Sequence, residues 1–166
     1  MSNTGLDVFD RASQRAIGWL DDLQERMDWD NRHRAYEALG IVLHVLRDRL
    51  PIEEATDLGA QLPLLIRGLY YQNWEPSVNP ERYRRAEDFF ARVRERLAAH
   101  RMEGVPVLRL VESVADLLAD HITEGELSDV RHALPSPIRA LFSLEGRADE
   151  TPPWRQEQRA WDKYSV

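Results

Sequence analysis

Cysteine is absent from the 166 residues, which removes thiolate nucleophiles, disulfides, iron–sulfur clusters and cysteine-ligated zinc. Carboxylate, imidazole and guanidinium chemistry remains. His44 and Asp48 lie four apart, the helical spacing at which two ligands share a face, and Asp116 and Asp120 repeat that spacing later in the chain. Together the four would make a mixed imidazole–carboxylate cation site of the kind built in helical-bundle cores. Two features weigh against it. No Glu-x-x-His pair of the di-iron type accompanies them, and His44 falls opposite the apolar stripe Leu39, Leu46, Leu50, toward solvent or a neighbouring helix edge. The expectation is no metal and no cofactor, with His44, Asp48, Asp116 and Asp120 as the weaker alternative.

Nucleophilic and phosphate chemistry have even less to stand on. Ser136 lies between two prolines, Ser113 falls inside a helical pattern, and neither sits in a Gly-x-Ser-x-Gly elbow. The eight glycines form no phosphate-cradling loop. Arg32-His33-Arg34 could hold an anion at a helix start, but reads more simply as an exposed, capped one. The zone from Arg67 through Tyr70, Tyr71, Trp74, Tyr83 and Arg85 superficially resembles a stacking platform for single strands. Residues 81–103, however, carry seven Arg against five acids, a helix face laced with ion pairs, and the whole chain has a net charge of −7. Nucleic acid is therefore not an expected partner. Tyr71 and Trp74 flank a linker and are expected to pack two parts of the chain together or to form a protein-contact surface.

These groups are carried on helices. Apolar residues recur at helical spacing, and no stretch alternates long enough to require a strand. With 43% hydrophobic and 31% charged residues, the composition is that of a folded domain. No apolar run approaches the ~20 residues of a bilayer span, and the N-terminus has no charged-then-apolar layout, so a soluble cytoplasmic protein with no membrane partner is expected. The 22 basic residues comprise 21 Arg and one Lys, which codon bias explains more simply than selection for anion recognition.

The spacing predicts eight helices. The first runs from about Leu6 to Met27, opened by a Thr4/Asp7 capping box, with Phe9, Ala12, Ala16, Trp19, Leu20 and Leu23 inward. The second is capped by Asp30 or Asn31, buries Tyr36, Leu39, Val42 and Leu46, and ends at Leu50. Short third and fourth helices open at Pro51 and Pro63. After a linker at 74–80, the fifth is capped by Asn79, runs from Pro80 to about Arg101 with Phe89, Phe90, Val93 and Leu97 inward, and is ended by Gly104. The sixth opens at Pro106, the seventh at the Thr123 capping box, and the eighth at Pro135, ending near Leu144.

The chain also repeats itself. Sliding residues 36–70 by 72 positions onto 108–142 gives ten identities in 35 pairs without a gap. Among them are Asp48/Asp120, Glu54/Glu126, Asp57/Asp129 and Arg67/Arg139, within a shared Leu-Pro-x-x-Ile-Arg-x-Leu-aromatic segment at Leu62–Tyr70 and Leu134–Phe142. The expected architecture is all-α, two pseudo-equivalent repeats over about residues 6–74 and 80–144 forming one compact unit with a shared core. Residues 145–166 follow as a polar spacer and aromatic tail.

The run Arg32-His33-Arg34-Ala35-Tyr36 through Leu46-Arg47-Asp48-Arg49-Leu50-Pro51, followed by Gly59-Ala60-Gln61-Leu62-Pro63 and Ile66-Arg67-Gly68-Leu69-Tyr70-Tyr71, resembles the bacterial family called domain of unknown function 2267. The resemblance covers about residues 6–144. It implies an all-helical bacterial cytoplasmic protein and, because the family has no assigned reaction, carries over no catalytic residue.

Apolar identities between repeats follow from packing, but charges kept in both copies call for fixed partners. The expectation is that Arg67 pairs with Asp48 or Asp57, and Arg139 with Asp120 or Asp129, each within its own repeat. In the tail, Trp154 and Trp161 lie seven apart with Tyr164 three further on, an aromatic face that would dock on the body, on a partner or on a second copy. The functional expectation is a non-enzymatic protein-interaction or stress-associated accessory module, with self-association left open. The alternative is a small-molecule sensor or enzyme with a polar pocket between the repeats, lined by Arg67, Arg139, His44 and Asp120.

Overall fold

The computed structural model describes residues 2–142. Among the described residues there are eight α-helices, two short 3₁₀ turns and no strand. The helices are α1 (Asp7–Met27), α2 (Arg32–Arg49), α3 (Ile52–Gln61), α4 (Leu64–Tyr71), α5 (Ala86–Ala99), α6 (Val107–His121), α7 (Glu124–Ala133) and α8 (Ser136–Arg139). The 3₁₀ turns lie at Pro76–Val78 and Ala140–Phe142.

One apolar core runs through the whole body. Leu39, Leu43, Leu46 and Tyr70 from the first half join Phe89, Leu97, Val114, Leu118 and Phe142 from the second, all essentially without solvent contact. α2 and α6 pack on each other at its centre, and α3 packs on α7. The long helices α1 and α5 are exchanged in their allegiance. α1 lies on both α2 and α6, and α5 likewise lies on both. Neither half could cover its own apolar face alone, so the halves interlock.

Prolines set the helix starts. Pro51, Pro63, Pro106 and Pro135 each stand immediately before a first helical residue, where the missing N–H costs nothing. Asn31 caps α2, its side chain accepting from the Arg34 amide at 3.1 Å, and Thr123 caps α7 by accepting from the Glu126 amide.

Several expectations need correction. The Thr4 hydroxyl stands two residues before the cap, Leu6, so it accepts from the Leu6 amide and donates to Asp10 instead of closing a capping box. Phe9 is 52% exposed, because no element among the described residues covers the first turns of α1; the buried residues of α1 begin at Ala16. Tyr36 lies at the surface and Phe90 is only half-buried. α5 begins at Ala86, six residues later than its sequence signal. Residues 80–85 are held against the end of α2: the Glu81 amide donates to Asp48 O at 2.8 Å, and Arg49 Nε donates to Tyr83 O at 2.8 Å. The Asn79 side chain does not cap α5. It donates to the carbonyls of Arg47 and Leu50, closing the C-terminus of α2. α5 ends through Arg101, which takes the left-handed conformation while the Met102 amide returns to Leu97 O, so Gly104 is not its terminator.

Candidate functional site

An open groove of ≈ 630 Å³ runs between α1, the α3–α4 step and the end of α6. Arg15, Gly18, Trp19 and Asp22 of α1 line one wall. Gln61 to Leu64 and Arg67 line another, and His121 closes one end. The helical spacing of Arg15, Trp19 and Asp22 brings all three onto one face, and the extended backbone at Leu62 and Pro63 turns the chain sharply enough to form the opposite rim.

Most of the charge along this groove is already committed. His121 stacks on the Trp19 indole with ring centroids 4.8 Å apart and approaches Asp22 at 3.4 Å. Asp22 accepts from Arg26 Nε at 2.7 Å, and the same guanidinium reaches Asp120 and, at 3.7 Å, Asp116. Arg67 Nη2 donates to the carbonyls of Ala60 and Leu62, both at 3.1 Å. The groove lining includes no serine, threonine, lysine or tyrosine to act as nucleophile or acid beside His121.

The residues singled out from the sequence are distributed differently from the expectation. Arg67 and Arg139 do not meet an Asp. Each sends its guanidinium back onto the carbonyls ending the preceding helix: Arg67 onto Ala60 and Leu62, Arg139 onto Arg131, His132 and Leu134. Those carbonyls are orphaned by the Leu-Pro step, and a fork of N–H donors one turn into the next helix is placed to take them. Asp57 and Asp129 are exposed, and among the described residues neither forms an ion pair with Arg67 or Arg139, which are bonded to carbonyls. Asp48 and Asp120 do hold arginines, but from the opposite half. Asp48 accepts from Arg96 of α5 at 3.0 Å and from Arg47 at 2.9 Å, and Asp120 accepts from Arg26 of α1.

His44, Asp48, Asp116 and Asp120 are not brought together as ligands. The His44 ring donates from Nε2 to Leu69 O at 2.6 Å, while the three aspartates are turned toward arginines. Among the described residues no group of three or more His, Asp or Glu side chains is placed to hold a metal ion. Burial pushes the His44 pKa down, which keeps the ring neutral.

Tyr71 and Trp74 are half-buried packing residues. Tyr71 Oη donates to Thr56 O at 3.3 Å, Trp74 Nε1 donates to Asn79 Oδ1 at 2.8 Å, and the two rings meet at 5.5 Å. Trp154, Trp161 and Tyr164 lie outside the described residues.

Arg47 carries no signal in the sequence that marks it as a buried hub. It is 3% exposed and donates to the carbonyls of Tyr70 and Gln72 as well as to Asp48. Nothing local marks it, since the second repeat has Ala119 at that position. Tyr83, a member of the aromatic–arginine zone, is not an exposed stacking face: it is buried beneath the guanidinia of Arg49 and Arg92, 5.5 and 3.9 Å from its ring centre.

No helix among the described residues is long and apolar enough to cross a membrane. A search of curated proteins finds no match. A family model described as an uncharacterized conserved protein, DUF2267, matches residues 18–141, about three quarters of the chain. The matched span runs from the middle of α1 to the last 3₁₀ turn and takes in both halves of the interlocked body; the chain belongs to the DUF2267 family.

Proposed function

We propose that this protein is a helical interaction module and that it meets its protein partner through the exposed start of α1 and the exposed start of α4. One observation carries this reading. Leu6, Val8 and Phe9 are 50–56% exposed on a stretch of α1 that buries nothing fully, and Leu64 and Leu65 are about half exposed on α4, the helix against which α1 packs. Of the nine exposed large apolar side chains among the described residues, these five fall at the starts of two helices that pack together further along. The groove adjoins this surface at Leu64 and adds Arg15 and Gln61 as polar rim groups. The alternative, a polar pocket between the halves, draws little support. Of Arg67, Arg139, His44 and Asp120, only Arg67 reaches the groove.

The identities at a shift of 72 support a further reading, that the body arose by duplication of one helical unit. The matching carbonyl contacts of Arg67 and Arg139 and the crossed pairs of Asp48 and Asp120 fit it.

The test is a paired one. Phe9→Ser and Leu64→Ser/Leu65→Ser variants should keep the melting temperature of the parent, because these side chains contribute little to the core. They should lose proteins that the parent captures from a lysate of the native host, or lose self-association measured by light scattering. Identical capture and identical mass for parent and variants would sink the reading.

A further inference from the structure

Two cations in the groove between α1 and the α3–α4 step have no carboxylate to neutralise them. Arg15 has Arg11, Ala12, Gly18 and Trp19 three and four residues away, so its own helix offers it no acid. Among the described residues it forms no hydrogen bond and no ion pair. Arg67, on the other wall, has Pro63, Leu64, Tyr70 and Tyr71 at the corresponding positions. Its Nη2 is anchored on the carbonyls of Ala60 and Leu62, while its Nε is buried without a partner. Arg139, its counterpart in the second half, engages both Nε and Nη2, so Arg67 is the less committed of the two. Asp22, the one acid among the described residues lining the groove, accepts from Arg26 at 2.7 Å.

The rest of the groove is shaped for an organic body. Its volume of ≈ 630 Å³ falls within the range of small-molecule sites. Pro63 and Leu64 give it an apolar rim beside the two guanidinia. Gly18, in the middle of α1, keeps it open: the backbone there is helical, and a Cβ would meet nothing within 4 Å. Neither strain nor close packing calls for glycine at this position, where alanine would favour the helix. In a chain of net charge −7, a concave site with two uncompensated cations is a place that draws anions.

We propose that the groove binds a small organic acid, its carboxylate held by Arg15 and Arg67 and its apolar body against Pro63 and Leu64. A guanidinium fork matches a carboxylate, and the anchoring of Arg67 through Nη2 holds that fork in place before the ligand arrives. The charge selects an anion, and the apolar rim selects one carrying carbon over an inorganic ion. This ligand site goes beyond the protein contact at the starts of α1 and α4, although Leu64 borders both.

The experiment titrates the full chain with phenylacetate, its neutral amide and inorganic phosphate at constant ionic strength, read by NMR of backbone amides and arginine side chains. Phenylacetate should give saturable shifts at Arg15, Gly18 and Arg67. Phenylacetamide and phosphate should each bind at least tenfold more weakly. Arg15→Gln should weaken phenylacetate at least tenfold, and Gly18→Leu, which fills the groove, should abolish saturation. Neither variant should melt appreciably below the parent, because neither position packs against the core. Shifts that never saturate, equal affinity for phosphate, or unchanged affinity in Arg15→Gln would overturn the proposal. An acetylated Leu-Glu-Leu amide that binds more tightly than phenylacetate, and loses that advantage in Leu64→Ser/Leu65→Ser, would assign the groove to an acidic side chain of the protein partner and overturn it as well.

Discussion

Arg96 of α5 donates a 3.0 Å hydrogen bond to Asp48 of α2, across the boundary between the two halves of the chain. The other Asp48 oxygen takes Arg47, whose guanidinium also caps the carbonyls ending α4. On the opposite side Asp120 of α6 takes Arg26 of α1. The two aspartates thus bind the leading helix of the other half, at sites of very different burial.

That difference predicts unequal losses. Asp48→Ala strands the Arg47 guanidinium, 3% exposed, without a counter-charge and should cost about 3–5 kcal/mol in urea unfolding. Asp120 has a side chain 58% exposed, so Asp120→Ala should cost no more than about 1 kcal/mol. Equal losses would mean that Arg47 is satisfied by the carbonyls alone.

Arg67 and Arg139 act on helix-end carbonyls, so each arginine-to-alanine change should lower stability by about 1–2 kcal/mol. At Arg139 lysine should restore only part of it, because one ammonium cannot reproduce a planar guanidinium that donates from both Nε and Nη2. Asp57→Asn should leave equilibrium unfolding within about 0.5 kcal/mol of the parent. A loss at Asp57 as large as at Arg67 would reinstate the ion pair first expected.

His44 donates to Leu69 O as a neutral ring and has a depressed pKa because it is desolvated. A base that protonates more readily when unfolded contributes stability that is whole above its ordinary value and lost as pH falls through it. Unfolding free energy should thus decline below about pH 6.5 through this group. The decline should be weaker in His44→Leu than in the parent, even though that variant is less stable throughout. NMR titration that finds His44 protonating at or above the ordinary histidine value would contradict this.

Gly59 lies against Tyr71. A Cβ there would meet the Tyr71 Oη at 2.2 Å and the ring carbons at 2.6 and 2.9 Å. Gly59→Ala should therefore displace the ring, break its bond to Thr56 O and cost about 1–3 kcal/mol. In a Tyr71→Ala background the same change should cost far less, a coupling readable from a double-mutant cycle.

Helix existence was legible in the sequence because it depends on local quantities. Apolar residues every three to four positions, Asn31 and Thr123 as caps and the prolines at 51, 63, 106 and 135 suffice to place all but one of the helix starts within a residue or two. Position 79–80 carries as good a helix-start signal as any of these, yet α5 begins at Ala86. The reason is not local: the end of α2 has open carbonyls that Asn79 fills and an Asp48 carbonyl that the Glu81 amide fills, and those bonds hold the segment extended.

The same division governs the charges. Retention of Asp48/Asp120 and Arg67/Arg139 at a shift of 72 marked them as having fixed partners, and all four have them. Which partner was beyond reach of spacing, because it depends on α1 and α5 crossing onto both central helices and on which carbonyls the Leu-Pro step leaves open. A helical, cysteine-free chain whose two halves share a pattern follows from local spacing and composition alone. Packing between distant helices is what gives each aspartate an arginine from the other half and leaves Phe9 exposed. Those outcomes depend on what desolvates each group, and desolvation is a property of neighbours brought from far along the chain.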